Sequence, residues 1–565
     1  MIKTDMNQDF HPTNSKTLVV IGAGATAALG MPTTAKQTEL FRKLAKSKKG
    51  NNTKQIIKDY FDEPDLSKVI TFLELLDSDN LFVVNDTDIN NAKFLYGRTV
   101  DEELLTKRIF ELRQEYDWNA VKKIIPICAE QKDEKNDNLI LDLYSIIDQK
   151  LLTGQSLSVQ PDKDGNEIVL SPARLQAARN FLILFVNMMF ASAWYKITKE
   201  EDEEVNTAFS KYKGFINSFD CLMKKEGLNC NLVENPPENR GFYLFSTSFV
   251  SFNFDMVFPW IFMNSHYEMN HQSVYIQDHP LKLWLDYGVE HRGRKMKNNS
   301  VIPTLEFTES VASRQNEEDH VGTPYNRAGK FYFAHGSSNW RECPICGRMT
   351  FYFGYDENRW KYKSKQLIPP MPFPIFEIIP DSALTKREIQ WRNQLHFDSL
   401  QCMHCGAETR ATDAPMIMQT MHKSTPTSFL EEIQRNVKVS IGKAEHIVLL
   451  GYSLPTDDTI WQQAFAEGVR SRVNGSKRVY CSVVVCEKDN QQHWMKGKKL
   501  EDYINSHENK KDSAEWGIPT IENAIAIFGM ENVRVWAGGI PQVFGNCTER
   551  DVKELFYPDF KDFEL

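Results

Sequence analysis

The stretch from Thr17 to Thr34 constrains this chain most, because an apolar run is followed at once by a glycine-rich turn. Leu18 to Ile21 predict a buried strand, and Gly22-Ala23-Gly24 predict a turn into a helix that starts near Ala25. Glycines there let the backbone approach a ligand, and a helix N-terminus offers free N–H groups to a phosphate. Gly30 departs from the spacing of the usual dinucleotide fingerprint, so a turn that binds no ligand is the alternative.

Length and charge limit the classes of protein that this chain can belong to. Its 565 residues predict more than one structural unit, and the net charge of −9 makes direct nucleic-acid binding an unexpected function. The polar N-terminus predicts no secretion signal. The longest apolar run, Phe181 to Trp194, is shorter than the roughly 20 residues that span a bilayer, and it predicts a buried core or interface helix. We therefore expect a cytoplasmic protein without membrane contact.

Polar residues follow two further runs that predict strands. Asn253 and Asp255 come at the end of a run rich in Phe and β-branched residues, and His335 follows Phe331 to Phe333 directly. Ligand-contacting residues lie at the carboxyl ends of strands in open α/β sheets. A histidine there can act as a general base, because its pKa is near neutrality. A capped strand end and a structural histidine are the alternatives.

Two later runs predict more strands of the parallel type. Ile447 to Leu450 end at the turn Gly451-Tyr452-Ser453, and a helix is expected from Thr456. Tyr480 to Cys486 form the second run, and Asn490 follows it. The sequence therefore predicts a second glycine turn at the same edge of the sheet as the first.

Two Cys-x-x-Cys pairs, each followed by glycine, predict a metal site. The four residues are Cys343, Cys346, Cys402 and Cys405. Their pattern fits a tetrahedral four-thiolate zinc site, and a full set of four cysteines leaves no open position for catalysis. Replacement of one cysteine by His404 is the alternative ligand set. Residues 347–401 separate the pairs, which predicts an insertion within this module.

These motifs occur in an order that resembles the sirtuin family, and more closely the sirtuin-like domains of bacterial anti-phage proteins. The order is Gly-Ala-Gly-Ala-Thr with Gly-Met-Pro, then Phe-Asn-Phe-Asp, His-Gly-Ser, the two cysteine pairs and Gly-Tyr-Ser-Leu-Pro. The resemblance covers about residues 18–76 and 245–490. It implies an α/β fold: a Rossmann-like, mostly parallel sheet with helices on both faces, a large helical insertion and a small zinc-binding module.

The resemblance also implies a division of the chain. Residues 1–80 would form the first part of the Rossmann-like NAD-binding unit and residues 81–240 the helical insertion. Residues 241–340 would form the second part, with the catalytic residues, and residues 341–410 the zinc-binding module. Residues 411–565 would complete the Rossmann-like unit and form the C-terminal segment.

The family's functional residues map onto this sequence one by one. By resemblance, Asn253 and His335 would be catalytic and Asp255 would line the nicotinamide–ribose pocket. The remaining NAD-binding residues would be Gly22, Ala23, Gly24, Ala25, Thr26, Gly451, Ser453 and Asn490.

Two departures from the deacylating sirtuins favour cleavage of NAD itself. This chain has Met31-Pro32-Thr33-Thr34 where those enzymes have Phe-Arg after Gly-Ile-Pro, and Phe252-Asn253-Phe254-Asp255 where they have Gln-Asn-Ile-Asp. We expect an NAD hydrolase that releases nicotinamide and ADP-ribose, as an NAD-depleting effector in anti-phage defence. A homo-oligomer and an activating partner protein from the phage or the defence system are also expected. An NAD-dependent lysine deacylase and a non-catalytic sensor or scaffold for NAD or ADP-ribose are the alternatives.

Overall fold

The structure is a computed structural model, and it describes most of the chain in separate ranges. The described residues are 17–46, 51–63, 65–78, 81–96, 100–130, 139–159, 167–199, 202–229, 247–262, 265, 285–286, 290–292, 304–309, 329–347, 349–352, 400–402, 405, 407–417, 428–455, 458–473, 478–486, 492–507, 517–559 and 563.

The strands of the described part fall into one large sheet and three small ones. In chain order they are β1 Thr17–Ile21, β2 Leu157–Val159, β3 Ile168–Leu170, β4 Thr247–Ser251, β5 Leu285–Asp286, β6 Glu290–Arg292, β7 Thr304–Glu309, β8 Gly329–Phe333, β9 Trp340–Glu342, β10 Met349–Tyr352, β11 Leu400–Gln401, β12 Glu408–Thr409, β13 His446–Leu450, β14 Tyr480–Val484, β15 Trp494–Lys496 and β16 Val533–Trp536.

The large sheet has the strand order β15-β16-β14-β13-β1-β4-β8-β5. All neighbouring strands are parallel except β15, which is antiparallel to β16. Val20 of β1 lies between Val250 of β4 and Leu449 of β13. From β8 to β16 through β1, this is the 3-2-1-4-5-6 order of a Rossmann fold. The predicted fold class is therefore confirmed.

The central strands are buried along their whole length because both faces of the sheet are covered. Every residue of β1, β4 and β13 is buried. Parallel strands that are buried on both faces usually have near-continuous apolar sequences, without the alternation of apolar and polar residues that half-buried strands show. This burial is why the runs that end at Ile21, Ser251 and Leu450 were predicted correctly from the sequence.

Helices surround the sheet and form the insertion. In chain order they are α1 Thr34–Lys46, α2 Asn51–Ile57, α3 Asp65–Leu76, α4 Asp86–Tyr96, α5 Glu102–Glu115, α6 Trp118–Glu130, α7 Leu139–Thr153, α8 Pro172–Lys199, α9 Glu203–Asn229, α10 Ser428–Lys443, α11 Thr459–Val473, α12 Gly497–Ser506, α13 Ile518–Phe528 and α14 Glu549–Phe556. The face of α3 that carries Val69, Phe72, Leu73 and Leu76 is buried.

The segment after the first glycine turn differs from the expectation. Instead of a helix near Ala25, the chain makes two short 3₁₀ turns, Ala23–Ala25 and Ala27–Leu29, and α1 begins only at Thr34. Gly30 ends the second turn in the left-handed region, at a φ of 82°. The expected helix N-terminus therefore does not adjoin the turn, and any phosphate contact there depends on N–H groups of the turn.

Helix α8 lies in the interior of the protein. Its segment Pro172–Trp194 is long and apolar enough to cross a membrane, but 89% of its apolar window is buried inside the structure. The ring of Phe185 packs 5.4 Å from Phe41 of α1 and 5.6 Å from Phe181, between ring centroids. The stretch is therefore a core helix, which is one of the two predicted roles. Because its side chains are buried inside the chain, they offer no surface for the other predicted role, an interface with another subunit.

The insertion reaches the sheet through α9. Phe219 of this helix packs edge-to-face on Phe249 of β4, with centroids 5.7 Å apart. Phe215 contacts Phe556 of α14, and helix α14 packs against β13. Helix α9 is therefore part of the layer that covers the sheet, as well as part of the predicted insertion.

Candidate functional site

The two glycine turns at the centre of the sheet contact each other directly. The N–H of Gly22 donates to the carbonyl of Leu450, and the N–H of Gly24 donates to the carbonyl of Gly451, both at 3.0 Å. A Cβ on Gly22 would lie 2.4 Å from the carbonyl oxygen of Gly451, and one on Gly451 would lie 2.2 Å from the nitrogen of Ala25. Gly451 also has a φ of +62°. Packing between the turns therefore requires these glycines, whether or not a ligand is bound.

These turns lie at the point where the strand order reverses direction. From β1 the chain continues to β4 on one side, and it later returns to β13 on the other side. Ligands of open α/β sheets bind in the crevice outside the carboxyl ends of the strands at this reversal. Gly24 and Ser453 are exposed there, and Ala23 is half-buried. The structure thus places these predicted NAD-binding residues at the expected crevice.

Asn253 and Asp255 form a buried polar cluster with the first turn. The side-chain amide of Asn253 donates to the carbonyl of Gly22 at 2.8 Å. The hydroxyl of Thr26 donates to Oδ2 of Asp255 at 2.9 Å, and the N–H of Val257 donates to Oδ1 at 3.1 Å. The sequence did not indicate that Thr26 would bridge to Asp255, since the two residues lie far apart in the chain.

Burial favours the protonated, neutral form of the Asp255 carboxyl. Desolvation raises the pKa of its carboxyl to about 6, although hydrogen bonds from Val257, Thr26 and Asn253 oppose this shift. Burial disfavours the charged form of a carboxyl group. A proton on this carboxyl is therefore accessible slightly below neutral pH, at the end of β4 and next to the glycine turn.

Tyr212 of α9 connects the insertion to this cluster. Its hydroxyl donates to the carbonyl of Ala25 at 2.5 Å, and its ring packs edge-to-face on Phe258 and Phe544. Burial, and then the charge of Asp255, raise its pKa well above the usual value. The tyrosine is therefore neutral and acts as a hydrogen-bond donor. No sequence motif marks Tyr212, because the residues around it follow no recognisable functional pattern.

His335 lies at the end of β8 and is fully buried. The N–H of Ala334 donates to the carbonyl of Ser251 at 3.1 Å, so the ends of β8 and β4 are adjacent. Gly336, at a φ of +83°, has no room for a Cβ, which would lie 1.6 Å from the carbonyl oxygen of Pro415. Backbone packing therefore requires a glycine at this position.

The ring of His335 has two polar neighbours from the segment after β13. The indole N–H of Trp461 donates to its Nε2 at 3.1 Å, and Oδ2 of Asp458 lies 3.8 Å from the same nitrogen. The hydroxyl of Tyr452 donates to Oδ2 of Asp458 at 2.8 Å. Phe252 packs against the rings of His335 and Tyr452 at 4.8 and 4.6 Å between centroids.

The structure brings most of the predicted site together at one edge of the sheet. Phe252, the neighbour of Asn253, contacts His335, and the amide of Asn253 contacts Gly22. Asn490 lies outside the described residues. Asp458 and Trp461 were missed: the sequence around them predicted only a helix cap, and their proximity to His335 depends on how α11 packs.

The four cysteines also come together. Sγ of Cys343 lies 3.5 Å from Sγ of Cys405, and Sγ of Cys346 lies 3.6 Å from Sγ of Cys402. All four sulfur atoms are within 4.8 Å of one another. Disulfide sulfurs would be about 2.05 Å apart. Tetrahedral zinc with Zn–S bonds of about 2.3 Å sets its sulfurs about 3.8 Å apart. The cluster therefore has the geometry of a four-thiolate zinc site.

The local structure favours the thiolate form of Cys343. Burial raises the pKa of Cys343, but hydrogen bonds from the N–H groups of Cys346 and Ile345 and from neighbouring cysteines lower it to about 7. Gly347, at a φ of +67°, closes the first turn by donating its N–H to the carbonyl of Cys343. A lowered thiol pKa favours the thiolate, which is the form that binds metal.

Small antiparallel sheets frame the cysteine cluster. Strands β9 and β10 flank the first pair and join β7 and β6, while β11 and β12 flank the second pair. The sheet around the first pair therefore includes residues before 341, where the predicted zinc-binding module begins. The predicted insertion between the pairs falls almost wholly outside the described residues, as does His404.

Comparison with known proteins adds no family assignment. No protein-family model matches the chain, and no curated protein is significantly similar to it. The function of this chain is therefore inferred from the geometry of the site and from the motif order.

Proposed function

We propose that this chain is a sirtuin-like NAD hydrolase that cleaves NAD to nicotinamide and ADP-ribose. One observation supports this most: Asn253, Asp255 and His335 follow adjacent strands beside the interlocked glycine turns at the strand-order reversal. A dinucleotide with its pyrophosphate along the exposed Gly24 would extend its nicotinamide–ribose half toward these side chains. The four-cysteine cluster would hold structural zinc in this proposal.

Each polar residue has a separate task in the reaction. The C1′–N bond breaks and its electron pair leaves with nicotinamide, so positive charge develops on C1′. Water then adds to C1′, and His335 accepts the proton that this water loses. General bases of this kind contribute about 10²–10⁴-fold. Asn253 would orient the water or the ribose hydroxyls, and Asp255 would accept or donate a hydrogen bond at the departing nicotinamide.

The direct test is to incubate the purified full chain with NAD and to identify every product. Free nicotinamide and ADP-ribose, formed without any acylated peptide, are expected. Asn253→Ala and His335→Ala should each abolish turnover, while circular dichroism shows that the variants are folded. Normal turnover in either folded variant would overturn the assignment of that residue. Formation of acyl-ADP-ribose from an acylated peptide would show a deacylase instead.

One observation favours a second function, that of a non-catalytic sensor of NAD or ADP-ribose. His335 is fully buried, and its Nε2 already accepts a hydrogen bond from Trp461. Stoichiometric binding of NAD by calorimetry, without nicotinamide release under any condition, would support this function and contradict the hydrolase.

In the cell we propose that the hydrolase depletes NAD as an anti-phage effector. A toxic NAD hydrolase must be inactive until needed, so assembly or a partner protein would control it. The contact of Tyr212 with the glycine turn provides a physical link from the insertion to the site. Mass measurement with and without NAD tests the assembly, and a strict monomer with full activity would contradict it.

A further inference from the structure

His335 lies between two groups that require opposite states of its Nε2 nitrogen. An indole N–H can only donate, so its 3.1 Å contact from Trp461 needs a lone pair on Nε2 and places the ring proton on Nδ1. A carboxylate can only accept, so Asp458, at 3.8 Å, needs a proton on Nε2. The ring therefore has two alternative hydrogen-bonding states, which differ in whether Nε2 carries a proton.

Asp458 lies close enough to His335 to favour the state in which Nε2 carries a proton. It is fully buried, as is His335, so the interaction between them is weakly screened by water. Its position is fixed at both ends: Oδ2 accepts from the hydroxyl of Tyr452 at 2.8 Å, and its backbone carbonyl accepts from the N–H groups of Trp461 and Gln462 at 3.0 Å. A neighbouring Asp458 carboxylate stabilises a proton on the imidazole, whereas Trp461 stabilises the neutral ring.

We infer that Asp458 is a positioning residue that holds the Nε2 proton of His335 during NAD cleavage, so that Nδ1 is the nitrogen that accepts the proton. This inference rests on the proposed hydrolase function. In the reaction, one proton passes from the attacking water to Nδ1. The oxygen of that water bonds to C1′, and the C1′–N electron pair leaves with nicotinamide. His335 then carries both ring protons, with Nε2–H directed to Asp458, and it later releases one proton to solvent.

The separation of 3.8 Å is longer than a hydrogen bond, so the proposed Nε2–H bond requires the ring to move closer to the carboxylate. Catalytic hydrogen bonds are often long without substrate and shorten in the complex. The aromatic surroundings hold the ring between its two partners, since Phe252 contacts His335 and packs edge-to-face on Trp461 at 5.1 Å between centroids. Among the described residues, the phenol of Tyr452 is a further titratable group at this position. Burial, and then the charge of Asp458, raise its pKa well above the usual value, so it stays neutral.

The test measures the protonation of His335 separately from catalysis. Ring-¹⁵N-labelled full-length protein is titrated by NMR, and the His335 signals are assigned by their loss in His335→Gln. Opposite charges within about 4–6 Å shift such titrations by about 1–3 pH units. In Asp458→Asn we expect the His335 midpoint to fall by about this amount. In Trp461→Phe we expect it to rise, because the donor that favours the neutral ring is gone.

Two control variants separate this effect from general loss of structure. Glu467→Gln removes an exposed charge from the same helix, where Glu467 contacts Gln463, and it should leave the midpoint unchanged. Tyr452→Phe removes the hydroxyl from Asp458 but keeps the carboxylate, so the midpoint should not fall. An unchanged midpoint in Asp458→Asn would overturn the inference. If Asp458→Asn does not fold, the titration midpoint of His335 in Trp461→Phe is the test. A midpoint that does not rise in that variant would also overturn the inference.

Kinetics then connect the pair to the reaction. With NAD as substrate, Asp458→Asn should lower kcat about 10²-fold or more with little change in KM, and the acidic limb of its pH–rate profile should move to lower pH. If the wild type releases no nicotinamide, the proposed function fails, while the NMR titration still tests the Asp458–His335 pair. If the wild type is active and Asp458→Asn keeps its kcat and pH profile, only the positioning role fails.

Discussion

The side-chain amide of Asn253 is hydrogen-bonded at 2.8 Å to the backbone carbonyl of Gly22, which joins the end of β4 to the first glycine turn. The same amide lies 3.5 Å from the hydroxyl of Thr26. A predicted catalytic residue therefore also holds the turn in place. Asn253→Ala removes one of two donors to the carbonyl of Gly22, which still accepts from the N–H of Ala25, so the loss should cost about 0.5–1.5 kcal/mol of unfolding free energy in addition to its effect on turnover. Urea denaturation of the variant measures this cost, and unchanged stability would show that the bond is not formed.

Gly451→Ala should destabilise the protein more than Gly30→Ala does. Both glycines have positive φ, at +62° and +82°, but only at Gly451 would a Cβ collide with the backbone of the first turn. An alanine in the left-handed region costs roughly 1–2 kcal/mol, which is the whole expected effect at Gly30. Thermal denaturation of the two variants compares them directly. Equal losses would mean that the turns do not pack as closely as the structure shows.

The hydroxyl of Tyr212 should contribute measurably to stability. Tyr212→Phe removes the donor to the buried carbonyl of Ala25 and should cost about 1–3 kcal/mol. Tyr60→Phe is the matched control, because that hydroxyl makes an exposed 3.4 Å contact to the carbonyl of Lys36 and should matter by less than about 0.5 kcal/mol. Chemical denaturation of both variants gives the two values. A Tyr212→Phe protein as stable as the control would remove the link between insertion and turn.

Asp255 should make stability depend on pH in a defined window. Its folded pKa of about 6 lies above the usual value of 3.8 for an unperturbed aspartate carboxyl. Between these values the folded state binds more protons, so the contribution of Asp255 is most favourable below pH 4 and is lost as pH rises to about 6. Relative to Asp255→Asn, the wild type should lose on the order of 3 kcal/mol across this window. Parallel curves of unfolding free energy against pH would contradict this.

Metal removal should unfold the cysteine module. We expect about one zinc ion per chain by elemental analysis, and a chelator should lower the melting temperature because metal binding supplies folding free energy. Cys346→Ser should lose the zinc, whereas Cys486→Ser, outside the cluster, should retain it. Full zinc content in Cys346→Ser would exclude the proposed ligand set.

The sequence by itself predicted β1, β4, β8, β13 and β14 of the large sheet, the motif order that implies the fold class, and the composition of the cysteine site. Continuous apolar runs such as Leu18–Ile21 and Ile447–Leu450 predicted buried parallel strands, because side chains covered on both faces of a sheet are mostly apolar. Cys-x-x-Cys pairs predicted the thiolate cluster, because metal ligands follow a local spacing.

Only the tertiary structure decided which distant residues meet. It brought Tyr212 to Ala25, Thr26 to Asp255, and both Asp458 and Trp461 to His335. It also showed that Gly22, Gly336 and Gly451 are required by packing between backbones rather than by ligand access alone. These contacts join residues far apart in the chain, and their geometry depends on how helices and loops pack on the sheet. No local pattern of residue types predicts such packing, because many different sequences can form the same contact.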